Sequence, residues 1–519
     1  MHAPQLRTIA STTLICFFTL SALAQIQGNV KLQETSESLP ASTNDQRMAA
    51  TLPDGRLIDI GPGKKGLELH LFDASLKLKK TTSISGHKIN NIPAKLEFIE
   101  VIDGSPNLFF STFDKRMGQA ELFSQRIDPK NLKISDATPS WLVLPCNNAA
   151  GYSFKYSKSG DSKNVLVVGH ARMLYDKAEG DVHYGGTFAA KSYNDRGSLL
   201  YDYMTKYGNE QPGNPEESGF RAGIQDALML NNGNAYFTTW AYSAATLREE
   251  GFVHSMPNEK QGWKAALHSD QSVQCRGQLT EGTDGRAVLA GIRTNQTGSS
   301  LTPERFYARL SPGKPPIAVR AQPLNSLKLQ SPAPLSEEPI IRKGMASSAD
   351  GNTFLVPRQH LTLSTNQTLL VCDRVEGSGS TDAQQRGTYV FGLTNRGDLL
   401  WTQVIPKHQW GAFGDLGTSQ HCFVGSDDNL VLIYPTHKDN PVRIKTPATQ
   451  AMANTTANSV VVGSILEIIK GGRVGVRQVF WENDGRSLYA ARCAPGSDAS
   501  VFLFVADSPD SGHWVRFAH

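Results

Sequence analysis

Short apolar runs rich in Val, Ile, Leu, Phe and Tyr recur from about residue 48 to the C-terminus, each closed by a cluster of Asn, Asp, Gly or Ser. Paired runs flank Asp54-Gly55-Arg56, Asp103–Asn107, Ser159–Asn164, Asn231–Asn234, Thr283–Arg286, Ser364–Gln367, Ser426–Asn429 and Asn483–Arg486. Asn, Asp and Gly accept the positive φ of tight hairpin turns, so each cluster predicts two antiparallel strands. The turns recur at about 61-residue intervals, a spacing that suits a four-stranded propeller blade enlarged by loops.

A second hairpin follows most of the first ones, at Leu71–Lys77, Gln125–Leu132, Ser192–Leu199, Arg309–Lys314, Gly392–Leu399 and Phe504–Pro509. Residues 151–205 show a whole unit, with strands at Tyr152–Tyr156, Asn164–His170, Gly186–Tyr193 and Leu199–Met204. No intervening stretch has the pattern of a long amphipathic helix, and immunoglobulin-like modules of about 100 residues with linkers have no counterpart. The pattern therefore predicts an all-β chain: a single β-propeller of seven or eight four-stranded blades over residues 48–519. Units begin near 48, 93, 151, 224, 280, 350, 418 and 473. Seven is the competing count, because the short first and last units could complete one split blade.

The N-terminus follows a different pattern. Arg7, the apolar stretch Thr13–Leu23 and the small residues Ala22 and Ala24 read as a signal peptide over 1–24, cleaved after Ala24. The apolar stretch is shorter than the roughly 20 residues of a spanning helix. Residues 25–47 are polar without sustained periodicity and read as a mobile polar leader. The expected mature protein is secreted or periplasmic, monomeric and without a membrane span.

Two segments carry a family resemblance. Asn107–Lys115 with Ala120–Leu132, and Gly387–Trp401 with Leu430–Tyr434 and Asn440-Pro441, are similar to uncharacterised exported propeller-like proteins common in Bacteroidota. The resemblance touches about a fifth of the chain in generic blade strands and implies fold and export but no catalytic residue. Gly397-Asp-Leu-Leu-Trp401 also resembles blades of quinone-dependent dehydrogenases, although its Trp is not repeated in the other units.

Charge narrows the partners. With 52 Lys+Arg against 48 Asp+Glu, the chain has no basic excess from which to build a nucleic-acid surface. Only 19% of residues are charged, while 46 Gly and 27 Pro suit a turn-rich body. After signal removal five cysteines remain, Cys146, Cys275, Cys372, Cys422 and Cys493; their sparse, odd spacing reads as buried small hydrophobes rather than a disulfide framework or a thiolate zinc site.

Recognisable catalytic motifs are missing: no G-x-S-x-G, H-E-x-x-H, phosphate loop or dinucleotide fingerprint occurs. Ser348–Phe354 approaches the Asp-box turn of sialidase-like propellers but is one residue short, and no carboxylate pair is nominated for glycoside hydrolysis. A few histidines fall near acids: His170, His183 beside Asp181, His421, and His437 beside Asp439. A metal site would need several of them gathered at a central channel. Asp427-Asp428-Asn429 has the composition of a calcium ligand set, and equally that of a turn. No metal, cofactor or catalytic residue is assigned on this basis.

Tyrosine is the most unevenly placed residue, with ten of 14 between Tyr152 and Tyr242. An apolar ring with a polar tip suits stacking on sugars or gripping a peptide. The expected ligand-binding residues are Tyr193, Tyr201, Tyr203, Tyr236, Trp240 and Tyr242, although the β preference of Tyr also predicts ordinary strand packing for many. The leading expectation is a binding or scaffolding module for an extracellular glycan or protein. The alternative is a propeller enzyme, a hydrolase or lyase, acting on an extracellular glycan or peptide.

Overall fold

The computed structural model describes residues 31–40, 47–63, 66–84, 87–147, 149, 151–174, 184–194, 197–209, 221–243, 248–257, 262–297, 300–316, 319–324, 353–376, 384–410, 420–425, 427–437, 461–469, 472–480, 487–496, 500–508 and 511–518. The signal peptide expected over 1–24 lies outside them, as do His183, Asp181, Asp439 and residues 348–352. No helix among the described residues is long and apolar enough to cross a membrane.

Eight antiparallel sheets follow one another along the described chain. Seven are sequential, with innermost long strands Met48–Thr51, Ile92–Ile102, Tyr152–Lys158, Arg221–Met229, Ser272–Glu281, Thr353–Thr362 and His421–Val424. The eighth runs Ser487–Pro495, Ser500–Ser508, Ser511–Ala518, and then the N-terminal strand Lys31–Glu34. Lys31 lies opposite Ala518 and Glu34 opposite Val515, so the two ends of the chain share one sheet.

The turns are built as the sequence pattern requires. Leu52 N–H bonds Arg56 O while Gly55, at φ +82°, bonds Leu52 O; the same pair of bonds recurs at Leu230–Asn234, Gly282–Arg286, Leu363–Gln367 and Gly425–Asn429. The residue before each closing position is left-handed: Gly55, Gly233, Gly285, Asn366 and Asp428. Glycine takes that conformation without a Cβ penalty, and Asn and Asp tolerate it. Asp428 also accepts from Ser364 N at 2.8 Å, tying turns of neighbouring sheets together, so its carboxylate serves the turn.

Period-two alternation then buries both faces of each sheet. Val288, Ala290 and Ile292 face the sixth sheet, while Ala287 and Leu289 on the same strand face the fourth. Likewise Val431 and Ile433 meet the eighth sheet and Leu430 and Leu432 the sixth. An apolar cluster fills every junction, including the one where Phe502, Phe504 and Trp514 of the eighth sheet meet Leu57, Phe72 and Leu76 of the first. The ring is thus closed, and the described residues form an all-β propeller of eight blades.

Two expectations are corrected by this topology. Residues 25–47 contain strands Lys31–Glu34 and Leu39–Pro40, both paired with Ser511–Ala518, so this part of the expected mobile leader is sheet. Its polar residues suit the outermost position of a blade, where one edge stays open. The unit expected to begin near 473 also moves, because Arg473–Phe480 is the outer strand of the seventh sheet and the eighth begins at Ser487. The expected turn at Asn483–Arg486 lies outside the described residues.

Candidate functional site: a polar pocket at the hub

Inner strands of a propeller converge on its axis, and here four of them carry polar residues where core residues would be expected. Lys155 of the third sheet, Gln225 and Asp226 of the fourth, Gln278 of the fifth, and Arg358, Gln359 and His360 of the sixth line one cavity of about 400 Å³. That lies within the roughly 300–1,000 Å³ of small-ligand sites. Two of these strands bulge at the cavity, between Ile224 and Asp226 and between Pro357 and Gln359. A bulge breaks the alternation and re-aims side chains, and Pro357 is tolerated there because it has no ladder N–H to lose.

The polar groups hold one another in place. Lys155 Nζ donates to Gln225 O at 2.7 Å and lies 3.3 Å from Asp226 Oδ1. Asp226 in turn accepts from Ala227 N at 2.9 Å and from Leu279 N at 2.8 Å, which joins the fourth and fifth blades. The amides of Gln225 and Gln278 both donate to Pro357 O, at 3.4 Å each. Arg358 Nε donates to Asp373 Oδ2 at 2.8 Å, and Asp373 Oδ1 accepts from Thr388 at 3.0 Å. Gln359 reaches across to the seventh blade, donating to Cys422 O and accepting from Cys422 N, at 3.2 and 2.9 Å.

His360 is the pocket's imidazole, and burial pushes its pKa down to about 3, so it is neutral near pH 7. The carbonyls of Gln278 and Val288 face it, yet neither meets hydrogen-bond geometry. Histidines noted in the sequence behave similarly. Burial lowers His170 to about 4 and His421 to about 4. His437 lies on strand Leu430–His437, with its side chain outside the described residues. Among the described residues no group of three or more His, Cys, Asp or Glu could hold a metal. Cys146, Cys275, Cys372 and Cys422 are buried in the junction cores, and Cys493 is exposed.

The tyrosines expected to bind ligand are distributed between blades. Tyr193 packs edge-on to Trp141 at 4.7 Å and donates to its carbonyl, with burial raising its pKa to about 12. Tyr201 accepts from Gly262 N at 3.0 Å, and Tyr203 hydroxyl lies 3.0 Å from His254 Nδ1. Alternation sets both on the face of their strand that meets the fourth blade. Tyr236 is fully buried, where a ligand does not reach it. Trp240 is part-exposed with the Arg276 guanidinium 3.5 Å from its ring centroid, and Arg276 is paired with Glu249 at 2.7 Å. Tyr242 lies on strand Ala235–Ser243, its side chain outside the described residues. The five described rings do not form one exposed face.

No sequence motif nominated the hub residues. The available signal was polar side chains interrupting inner strands, as in Gly223-Ile-Gln-Asp-Ala227 and Val356-Pro-Arg-Gln-His360.

Fold and site together define a β-propeller with a polar pocket at its hub. No protein-family model and no curated protein matches the chain. Similar solved structures include prolyl oligopeptidase B from Galerina marginata, at 9% identity and a TM-score of 0.38, covering 90% of this chain and 56% of that one. The polysaccharide lyase Uly1 is 8% identical with a TM-score of 0.38, covering 91% of this chain and 89% of its own. An α-L-arabinanase from Penicillium chrysogenum is 9% identical with a TM-score of 0.33, covering 77% and 92%. The chain spans little more than half the length of the oligopeptidase. Likeness at this level carries no argument about the chemistry of the hub.

Proposed function

We propose that the protein is an exported β-propeller that binds an extracellular glycan at its hub, as a recognition module rather than a catalyst. The observation that carries this reading is the pocket lining. Lys155, Gln225, Asp226, Gln278 and Arg358 present donors and acceptors around one cavity of about 400 Å³. Such a set matches the hydroxyl-rich surface of a sugar, which needs many directional hydrogen bonds and little apolar area. Export rests on the N-terminal pattern and on the resemblance to exported propeller-like proteins.

Catalysis on a glycan or peptide, the alternative, asks for several converging acids and imidazoles with matched proton affinities. Among the described residues lining the cavity there is one carboxylate, Asp226, and one imidazole, His360, which is neutral. A glycan and peptide array probed with the mature protein tests the reading. Glycan binding weakened by Gln278→Ala supports it. Peptide binding alone, or release of shortened products from a bound glycan, overturns it.

A further inference from the structure

We propose that the ligand at the hub is an acidic glycan, whose carboxylate or sulfate groups are taken by Lys155 and Arg358. This deepens the glycan-binding reading and rests on it. Both cations line the same cavity, from the third and sixth blades. In each ion pair the cation is the more exposed member. The Lys155 side chain is 39% exposed against 17% for Asp226, and that of Arg358 27% against 2% for Asp373. The lining therefore exposes more of its positive groups than of their carboxylate partners.

The carboxylates are occupied from behind. Asp226 accepts two backbone N–H groups in addition to Lys155, and Asp373 accepts from Thr388 while holding Arg358 Nε. Carboxylates satisfied in this way fix the cations' positions. The Lys155 ammonium has three donors; one bonds Gln225 O and its charge pairs with Asp226, which leaves donor capacity for a ligand anion. An anion meeting two pre-positioned cations gains charge-assisted hydrogen bonds with little reorganisation. The amide oxygens of Gln225 and Gln278, whose nitrogens are turned to Pro357 O, are suited to the sugar hydroxyls.

The test is calorimetric titration of the mature chain, residues 25–519, with four probes: an oligogalacturonate, its methyl-esterified counterpart, a sulfated galactan oligosaccharide, and sodium sulfate alone. At least one acidic oligosaccharide should bind about tenfold or more tightly than the neutral ester. Its affinity should fall as salt rises. Lys155→Gln should weaken that binding about tenfold with the thermal midpoint preserved, since this side chain is part-exposed. Arg358→Lys, which keeps the charge, should weaken it less than Arg358→Gln. Equal binding of the neutral ester, or no effect of Lys155→Gln, overturns the proposal and leaves glycan binding standing. Sulfate alone binding as tightly as the oligosaccharides overturns it in favour of a simple anion site. If no oligosaccharide on either the array or the calorimeter binds, the glycan reading falls too.

Discussion

Arg47 and Asp59 form a buried ion pair at the seam where the two ends of the chain meet, each side chain with no exposed surface. Asp59 also accepts from Trp514 Nε1 at 2.7 Å and lies 3.0 Å from His70 Nδ1; Arg47 donates to Pro40 O at 2.8 Å and packs over Phe504 at 5.5 Å. One carboxylate thereby ties the first blade to the last and to the N-terminal segment.

Asp59→Asn should strip the buried guanidinium of its counter-charge, at a cost of about 3–5 kcal/mol in urea unfolding. Trp514→Phe keeps the ring's packing and removes one donor, and should cost only about 1–3 kcal/mol. Equal losses in the two variants would place the stability of the seam in packing rather than charge.

Deleting residues 25–40 should unmask the edge of strand Ser511–Ala518 and remove the Pro40 acceptor of Arg47. An open strand edge pairs with other chains, so the truncated protein should melt earlier and associate as concentration rises. Melting curves and light scattering over a concentration series would check this. An unchanged melting midpoint and a concentration-independent mass would mean that the ring closes without its N-terminal strand.

Acid should weaken the fold before its carboxylates titrate. Burial lowers the pKa of His170 to about 4 and of His360 to about 3, with His254 pushed well below the ordinary value as well. Below about 6.5 the unfolded chain takes up protons that these imidazoles refuse in the fold. Their contribution is therefore complete above pH 6.5 and is lost as pH falls toward the folded values, by up to about 1.4 kcal/mol per unit for each. The buried Glu249, whose pKa is raised, works the other way, so the useful comparison is within one position. His360→Leu should lose roughly 1–2 kcal/mol less than the parent between pH 6.5 and 5. Parallel pH profiles for the two proteins would exclude the assignment.

Gly397 sits at φ +80° in the turn Thr394–Asp398, and a Cβ there would lie 2.4 Å from Tyr307 Cγ. Gly197, in the matching turn of the third blade, has φ +73° and open space around it. Gly197→Ala should cost about 1 kcal/mol for the backbone alone, and Gly397→Ala about 1–3 kcal/mol more for the clash. Unfolding midpoints of the pair separate conformational cost from packing.

The propeller was legible because its turns obey local rules. Asp54-Gly55 and Asn231-Asn-Gly-Asn234 announce left-handed positions that the structure places in hairpins, and the unbroken apolar run Leu430–Ile433 announces a strand buried on both sides. The boundary expected near 473 was misplaced because a β-rich run does not reveal which blade it joins, and Arg473–Phe480 pairs back with Val461–Ile469. Lys31–Glu34 stayed hidden because its partner, Val515–Ala518, is at the other end of the chain, and an edge strand needs no apolar alternation. The hub was illegible for a related reason: Lys155 and Arg358 are brought together by ring closure, and single amides or cations leave no spacing motif. The tyrosine cluster was visible but ambiguous, since the same amphipathic ring serves inter-blade packing at Tyr203 and would serve a ligand elsewhere.

The shared eighth blade also sets an order in time. Synthesis delivers Asp59 early, yet its indole donor at position 514 is 455 residues further along and emerges long after it. Until then the N-terminal strand has no partner and the ring has a gap. A chain terminated before residue 514 would lack Trp514 and retain an unfinished seam. Closure of the circle thus waits on strand Ser511–Ala518, and a molecule terminated before it would carry its defect as an open edge that proteases and folding helpers can recognise.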